Sequence, residues 1–130
     1  MSMYAFVAPI LPGKTETWFK YTQELKSTRM DEFMKALQTG GVRSAQARLQ
    51  KTPTGDYSVV WFDGDSPTKF FDLFMKSDIP VIKWFREKIL IECEGAGPGM
   101  EPPTQNELIL DMSAKREPTQ ARAYEESRKK

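Results

Sequence analysis

Residues 42–62, VRSAQARLQKTPTGDYSVVWF, decide the fold of this chain, because they predict two strands joined by a short turn. The first strand is predicted over Val42–Lys51 and the second over Asp56–Phe62. Between them, Lys-Thr-Pro-Thr-Gly-Asp is rich in turn residues and short enough for a hairpin. We therefore expect the two strands to pair antiparallel.

Upstream of this hairpin, the sequence predicts one strand and one long helical stretch. Tyr4–Ile10 is a β-rich run that the turn residues Pro12 and Gly13 close. From Lys14 to Gln38, apolar residues recur at spacings of three and four, which is typical of a helix.

The apolar phase of this helix slips between Leu25 and Met30. Thr28 with Asp31 predicts a bend or a second helix start at the slip, because this pair can exchange capping hydrogen bonds with the backbone. Gly40-Gly41 then supplies the left-handed conformation that ends a helix.

Downstream of the hairpin, a second helix is predicted in two pieces. Ser66-Pro67 is a cap followed by a residue suited to the first helical turn. Ser77–Pro80 interrupts the helix, and Val81–Glu92 restarts it. Glu107–Met112 is a candidate last strand. The order β-α-β-β-α-β predicts an α+β, ferredoxin-like fold with an antiparallel sheet and a split second helix.

The predicted sheet is apolar on both faces in its first and third strands. Helices on one face would leave the other uncovered, and the economical cover is the same face of a second copy. We therefore expect a homodimer through the open sheet face. Strand two differs, because Ser44, Gln46, Arg48 and Gln50 share one side. These polar groups either line a cavity between the two sheets or lie at an edge.

Length and charge predict one domain with a charged tail. The chain has 130 residues and a net charge of +1. Residues 1–112 carry 13 basic and 15 acidic side chains, whereas residues 113–130 carry 6 basic and 3 acidic ones. We expect a domain over 1–112, a mobile tail over 113–130, and no nucleic-acid binding. No apolar run reaches the roughly 20 residues of a membrane span. The single cysteine, Cys93, is consistent with the cytoplasm.

Three sequence segments carry a resemblance to a known superfamily. They are Leu11-Pro12-Gly13-Lys14, Gly55-Asp56-Tyr57 and Ser77-Asp78-x-Pro80-x-x-x-Trp84-Phe85-x-Glu87. With the order of elements, they resemble the dimeric α/β-barrel superfamily over about residues 3–112, and within it a small group of uncharacterised bacterial proteins. The resemblance implies a ferredoxin-like protomer and a sheet-to-sheet dimer. It implies no single activity, since other branches include cofactor-independent monooxygenases, isomerases and haem enzymes.

The residue content argues against several kinds of site. The chain has no histidine, so the proximal histidine of the haem branches is absent. Asp63-Gly64-Asp65-Ser66 lacks the further carboxylates of a calcium loop and is interpreted as a turn and helix cap. Gly13-Lys14-Thr15 lacks the first glycine of a phosphate loop. We expect no metal and no cofactor.

The break in the second helix is the hardest feature to assign. Asp78 can cap the restarted helix, and Trp84 can be core. In the functional interpretation the break is the mouth of a pocket, where Arg48 pairs an anionic group and Tyr57 and Trp61 cover an apolar body. The candidate ligand-binding residues are Tyr4, Phe6, Gln46, Arg48, Tyr57, Trp61, Asp78 and Trp84. No catalytic residue is assigned.

Two hypotheses of different class follow. In the first, a homodimer binds, or transforms without a cofactor, a small metabolite that is partly aromatic or anionic. In the second, the protein is a non-catalytic dimeric association module whose basic tail docks a protein partner. Whether the chain is an enzyme stays open at this stage.

Overall fold

Helices cover one side of a small antiparallel sheet. The computed structural model describes residues 3–96 and 106–112. Its elements are β1 (Met3–Pro9), α1 (Thr15–Glu24), a first π-helical segment (Leu25–Arg29), α2 (Met30–Thr39), β2 (Val42–Thr52), β3 (Gly55–Gly64), α3 (Pro67–Lys76), α4 (Pro80–Phe85) and a second π-helical segment (Arg86–Cys93). The predicted α+β class with an antiparallel sheet is confirmed. Among the described residues, no helix has the length and apolar character needed to cross a bilayer.

The sheet has the strand order β1-β3-β2, and both pairings are antiparallel. The predicted hairpin is confirmed, with both strands longer than expected. At its tip, Gly55 has a φ of +149°, a conformation that favours glycine. The hairpin places β3 between its two partners, so its side chains lie at the centre of both faces.

The last strand predicted over Glu107–Met112 is wrong. Residues 106–112 form no strand, and all of them except Asp111 are exposed. Asn106 begins this segment, and its side-chain amide donates a hydrogen bond to the Ala5 carbonyl of β1 at 2.5 Å. Apolar side chains favour a strand only where a ladder partner and a buried face exist. Among the described residues, this segment pairs with no strand and its apolar side chains are exposed.

The helices bury an aromatic core against one sheet face. Phe62 of β3 is 1% exposed, and its ring stacks on Phe70 of α3 with centroids 3.9 Å apart. Phe6 of β1 packs edge-on against Phe70 and Phe71. Aromatic pairs of this kind contribute about 0.5–1.5 kcal/mol beyond their buried area. This core fixes which side of the sheet remains open.

A π-helical turn, rather than a new helix cap, explains the phase slip in the first helix. The chain continues without a break through Leu25–Arg29, and the Thr28 hydroxyl donates to the Glu24 carbonyl at 2.9 Å. The expected recapping by Thr28 and Asp31 is therefore wrong. A π turn holds more residues than an α turn, which returns Phe33 to the buried face on which Leu25 lies.

The second helix is split as predicted. Ser66 caps α3 by accepting the Lys69 amide at 3.1 Å. After α3, the Ser77 hydroxyl accepts the Ile79 amide at 3.1 Å, so Ser77 rather than Asp78 serves the turn. The expected helix cap by Asp78 is wrong, because α4 has no side-chain cap. The proposed tail, residues 113–130, lies outside the described residues.

Candidate functional site

The antiparallel register divides the sheet into two faces. Side chains that are paired across neighbouring strands lie on the same face. Tyr4 pairs with Phe62 and Phe6 with Val60, so both belong to the face that the helices cover. The opposite side, which we call the open face, carries Met3, Ala5, Val7, Pro9, Ser44, Gln46, Arg48, Gln50, Tyr57, Val59, Trp61 and Asp63.

The open face is apolar on one half and polar on the other. The half formed by β1 and β3 includes Met3 and Val7, which are 48% and 53% exposed. It also contains the half-buried rings of Tyr57 and Trp61. On β2 the same face is polar, with Gln46 opposite Trp61 and Gln50 opposite Tyr57. Polar hydrogen-bonding groups therefore border an aromatic surface, as in many small-molecule sites.

Arg48 lies at the centre of the polar half. It is opposite Val59 in the register, which makes Tyr57 and Trp61 its diagonal neighbours. Diagonal pairs in a sheet are about 7–8 Å apart, within reach of an arginine and a ring. The Arg48 guanidinium donates to the Gln46 side-chain oxygen at 3.4 Å, and within the described residues no carboxylate pairs with it. Its charge is available for an anion.

The other arginine of β2 contrasts with Arg48. Arg43 lies at an irregularity in the β2 register, and two of its nitrogens donate to one oxygen of Asp63, at 2.9 and 3.2 Å. A third nitrogen donates to Asp65 at 3.0 Å. These bonds raise the pKa of the Arg43 guanidinium, and Lys69 with Arg43 lowers the pKa of the Asp65 carboxyl. Arg43 is thus a structural residue.

The structure does not bring all eight sequence-predicted residues together. Gln46, Arg48, Tyr57 and Trp61 form one group on the open face. Tyr4 and Phe6 lie on the opposite side of the sheet, where they pack against the core. Asp78 and Trp84 belong to the helix layer.

Trp84 and Asp78 have separate surroundings within that layer. The Arg29 guanidinium lies 4.5 Å from the centre of the Trp84 ring, and Tyr21 meets the same ring edge-on at 6.1 Å. These contacts give Trp84 a cation–π partner within the protein. Asp78 is exposed. Within the described residues, Asp78 and Arg48 therefore lie in different layers and do not share a pocket mouth.

Sequence reasoning missed a carboxyl group in the helix layer. The Trp18 indole nitrogen donates to a Glu94 side-chain oxygen at 3.1 Å, across 76 positions of sequence. Burial raises the pKa of Glu94 to about 7, although the Trp18 hydrogen bond acts in the opposite direction. A carboxyl group that titrates near neutral pH can donate or accept a proton. No local motif marks Glu94, because its environment comes from the packing of α1 on the second π-helical segment.

Burial also affects two further residues of the helix layer. The Tyr21 hydroxyl donates to the Glu92 carboxylate at 3.2 Å, and burial followed by this hydrogen bond raises the Tyr21 pKa. Cys93 is fully buried, and burial raises its pKa to about 11. The thiol is therefore protonated at neutral pH, as expected of a buried structural cysteine.

No cluster of three or more metal-ligating side chains occurs in residues 3–96 and 106–112. Two separate groups of side chains define the candidate site. One is Arg48 beside two aromatic rings on the open face, and the other is the Glu94 carboxyl beside the Trp18 indole in the helix layer.

The fold is α+β, with helices on one side of an antiparallel sheet, and it is similar to the fold of solved structures. One of these solved structures is tetracenomycin F2 cyclase from Streptomyces glaucescens, described as a type-II polyketide cyclase. The two chains are 15% identical, the match covers 88% of this chain and 99% of that one, and the TM-score is 0.52. No family model matches the sequence, and no curated protein matches it either. The likeness therefore establishes the fold alone.

Proposed function

We propose that this protein is a homodimer that binds a small, partly aromatic and anionic metabolite at the open face, without metal or haem. The observation that carries the proposal is the position of Arg48, diagonal to Tyr57 and Trp61 and without a carboxylate partner in the described chain. The guanidinium would pair the anionic group of the ligand, and the rings would cover its apolar body.

Two further facts support small-molecule binding. One structural neighbour is named as a polyketide cyclase, and a polyketide is a small organic molecule. The open face combines exposed apolar residues with polar ones, whereas a face that served only to join two copies would gain little from Gln46, Arg48 and Gln50.

The buried, protonated thiol of Cys93 is consistent with a cytoplasmic location.

Glu94 supports a second candidate function, which is chemical transformation by proton transfer. Its pKa of about 7 allows a substantial fraction of each protonation state at neutral pH. General acid–base catalysis works best with such a group. Glu94 lies in the helix layer and Arg48 on the open face, so we assign binding to the open face and keep proton transfer as a separate proposal.

Binding of naphthoate, a small ring with a carboxylate, tests the proposal. Titration calorimetry compares naphthoate with its uncharged amide on the wild-type protein and on Arg48→Gln. We expect naphthoate to bind the wild type more tightly than the amide does. Arg48→Gln should weaken naphthoate binding about tenfold or more, since a hydrogen bond to a charged group contributes about 1.5–3 kcal/mol.

Lys51→Gln is the matched control. It removes one positive charge from the same strand. Lys51 is three positions after Arg48, so its side chain lies on the opposite face of the sheet. Its affinity for naphthoate should equal that of the wild type. The proposed site would be contradicted if the wild type bound naphthoate and the amide equally well. It would also be contradicted if Arg48→Gln and Lys51→Gln lost the same affinity for naphthoate. A face with no affinity for either compound would favour the association module instead.

A further inference from the structure

Arg48 has one aromatic ring and one amide on each side of it on the open face. Trp61 and Gln46 are paired across β3 and β2 on one side, and we call this pair the Trp61 row. Tyr57 and Gln50 are paired in the same way on the other side and form the Tyr57 row. Each row lies two residues from Arg48 along the strand, which is roughly 7 Å. A ligand whose anionic group is bound by Arg48 therefore has both rows within reach.

The Gln46 amide is oriented by Arg48. A guanidinium nitrogen of Arg48 donates to the Gln46 side-chain oxygen at 3.4 Å. An arginine side chain carries donors and no acceptor, so the oxygen of the amide, rather than its nitrogen, must be the atom next to it. Within the described residues, the Gln46 amide nitrogen has no acceptor of its own. Gln46 therefore offers two donor hydrogens to a group that binds beside Arg48.

Trp61 makes this side of Arg48 a row of donors. An indole nitrogen donates a hydrogen bond and does not accept one. The Trp18 indole donates to Glu94, whereas the Trp61 indole has no acceptor in the described part of the chain. No buried nitrogen or oxygen of a described side chain lacks a hydrogen-bond partner, so the donors of Trp61 and Gln46 are accessible. A ligand atom on this side meets two donors.

The Tyr57 row does not have this one-sided character. A tyrosine hydroxyl and a glutamine amide can each donate and accept. Arg48 makes its side-chain hydrogen bond to Gln46 and, among the described residues, none to Gln50, so the Gln50 amide can turn either way. The two sides of Arg48 therefore select for different ligand groups.

We propose that the ligand of the open face carries an oxygen acceptor next to its anionic group. Arg48 binds the carboxylate, and the Gln46 amide nitrogen donates to the neighbouring oxygen. The ligand class is a ring carboxylate with a hydroxyl or keto oxygen on the adjacent ring carbon. A ligand without that oxygen would cover the Gln46 donor and leave it unpaired, which weakens binding. This inference rests on the anion site of the proposed function and names the group that lies beside the anion.

Two isomers of hydroxynaphthoate test the inference. 3-Hydroxy-2-naphthoate and 6-hydroxy-2-naphthoate have the same formula and charge, but the hydroxyl is next to the carboxylate only in the first. Titration calorimetry measures the affinity of both for the wild-type protein. We expect the 3-hydroxy isomer to bind about three- to tenfold more tightly, since it alone places an oxygen beside the Gln46 donor.

Gln46→Met removes the donor and keeps a side chain of similar length. Gln46 is exposed, so the variant should fold like the wild type. The preference for the 3-hydroxy isomer should fall below about twofold in this variant, because neither isomer then finds the amide donor. Gln50→Met is the matched control, since Gln50 is equally exposed on the same strand and the same face. It should retain the wild-type preference.

The outcomes separate this inference from the proposed function. Equal affinity of the two isomers for the wild type would overturn the inference. A preference that survives in Gln46→Met, or that Gln50→Met loses to the same extent, would also overturn it. In these cases the proposed function still stands if Arg48→Gln weakens the binding of naphthoate. A protein that binds none of the naphthoates would overturn both.

Discussion

At the scale of single residues, Glu94 and Arg48 show how one fold creates two different charge environments. The Glu94 carboxyl is placed in a layer where burial disfavours its charged form. Arg48 keeps its charge at the surface beside two rings. Desolvation sets the pKa of Glu94. Arg48 is distinguished by having no carboxylate partner among the described residues.

Glu94→Gln should change how stability depends on pH. The folded-state pKa of Glu94 is raised from 4.5 to about 7, so the folded protein binds more protons than the unfolded chain between these values. Stability therefore falls as pH rises from 4.5 to about 7 and then levels off. Glu94→Gln removes this contribution, which is at most about 3 kcal/mol since one pKa unit is about 1.36 kcal/mol.

Urea unfolding at pH 5 and pH 8 measures this effect. The stability of Glu94→Gln relative to the wild type should be greater at pH 8 than at pH 5. Glu87→Gln, an exposed position on the same π-helical segment, should shift the unfolding midpoint equally at both pH values. A Glu94→Gln difference that does not change with pH would show that the Glu94 pKa is ordinary.

At the scale of elements, local patterns predicted most of the structure. The hairpin, the cap at Ser66 and the interruption at Ser77–Pro80 depend on residues close in sequence, and all three were found. The phase slip after Leu25 was visible, but its cause was not, because a π turn and a recapped helix leave similar apolar patterns. Sequence alone also could not place Tyr4 and Tyr57 on opposite sides of the sheet, since apolar residues occupy both alternating positions in each of the two strands.

Deleting Ser27 tests the π-helical interpretation. Ser27 is exposed and lies in the first π-helical segment. Its removal should convert the π turn into α-helix and keep Phe33 on the buried face, so the free energy of unfolding should change by less than about 1 kcal/mol.

Deleting Lys35 is the matched control. Lys35 is also exposed, but it lies within the regular helix α2. Its removal rotates the buried Ala36 and Leu37 by about 100° relative to Phe33, and burial of large side chains is lost. Thermal unfolding should show a large loss of stability for this variant. Equal losses for the two deletions would contradict a π turn at Ser27.

At the scale of the whole molecule, the account depends on a second copy. The sequence predicted the need for a cover, because both faces of the sheet are apolar, but it assigned residues 107–112 to a strand within one protomer. The structure instead leaves Met3 and Val7 of the open face exposed, together with the apolar side chains of residues 106–112. Among the described residues, a fourth strand would have only the edge of β1 as a partner, where Asn106 donates a hydrogen bond to the Ala5 carbonyl.

Native mass spectrometry of the gently purified protein tests the homodimer most directly. The account predicts a mass of about twice the 14.9 kDa of one chain. Val7→Lys, on the open face, should give the monomer, whereas Phe19→Lys, equally exposed on α1, should remain dimeric. A retained small molecule would add its mass to the wild-type dimer. A wild-type protein found only at 14.9 kDa would contradict the dimer and the ligand site that it encloses.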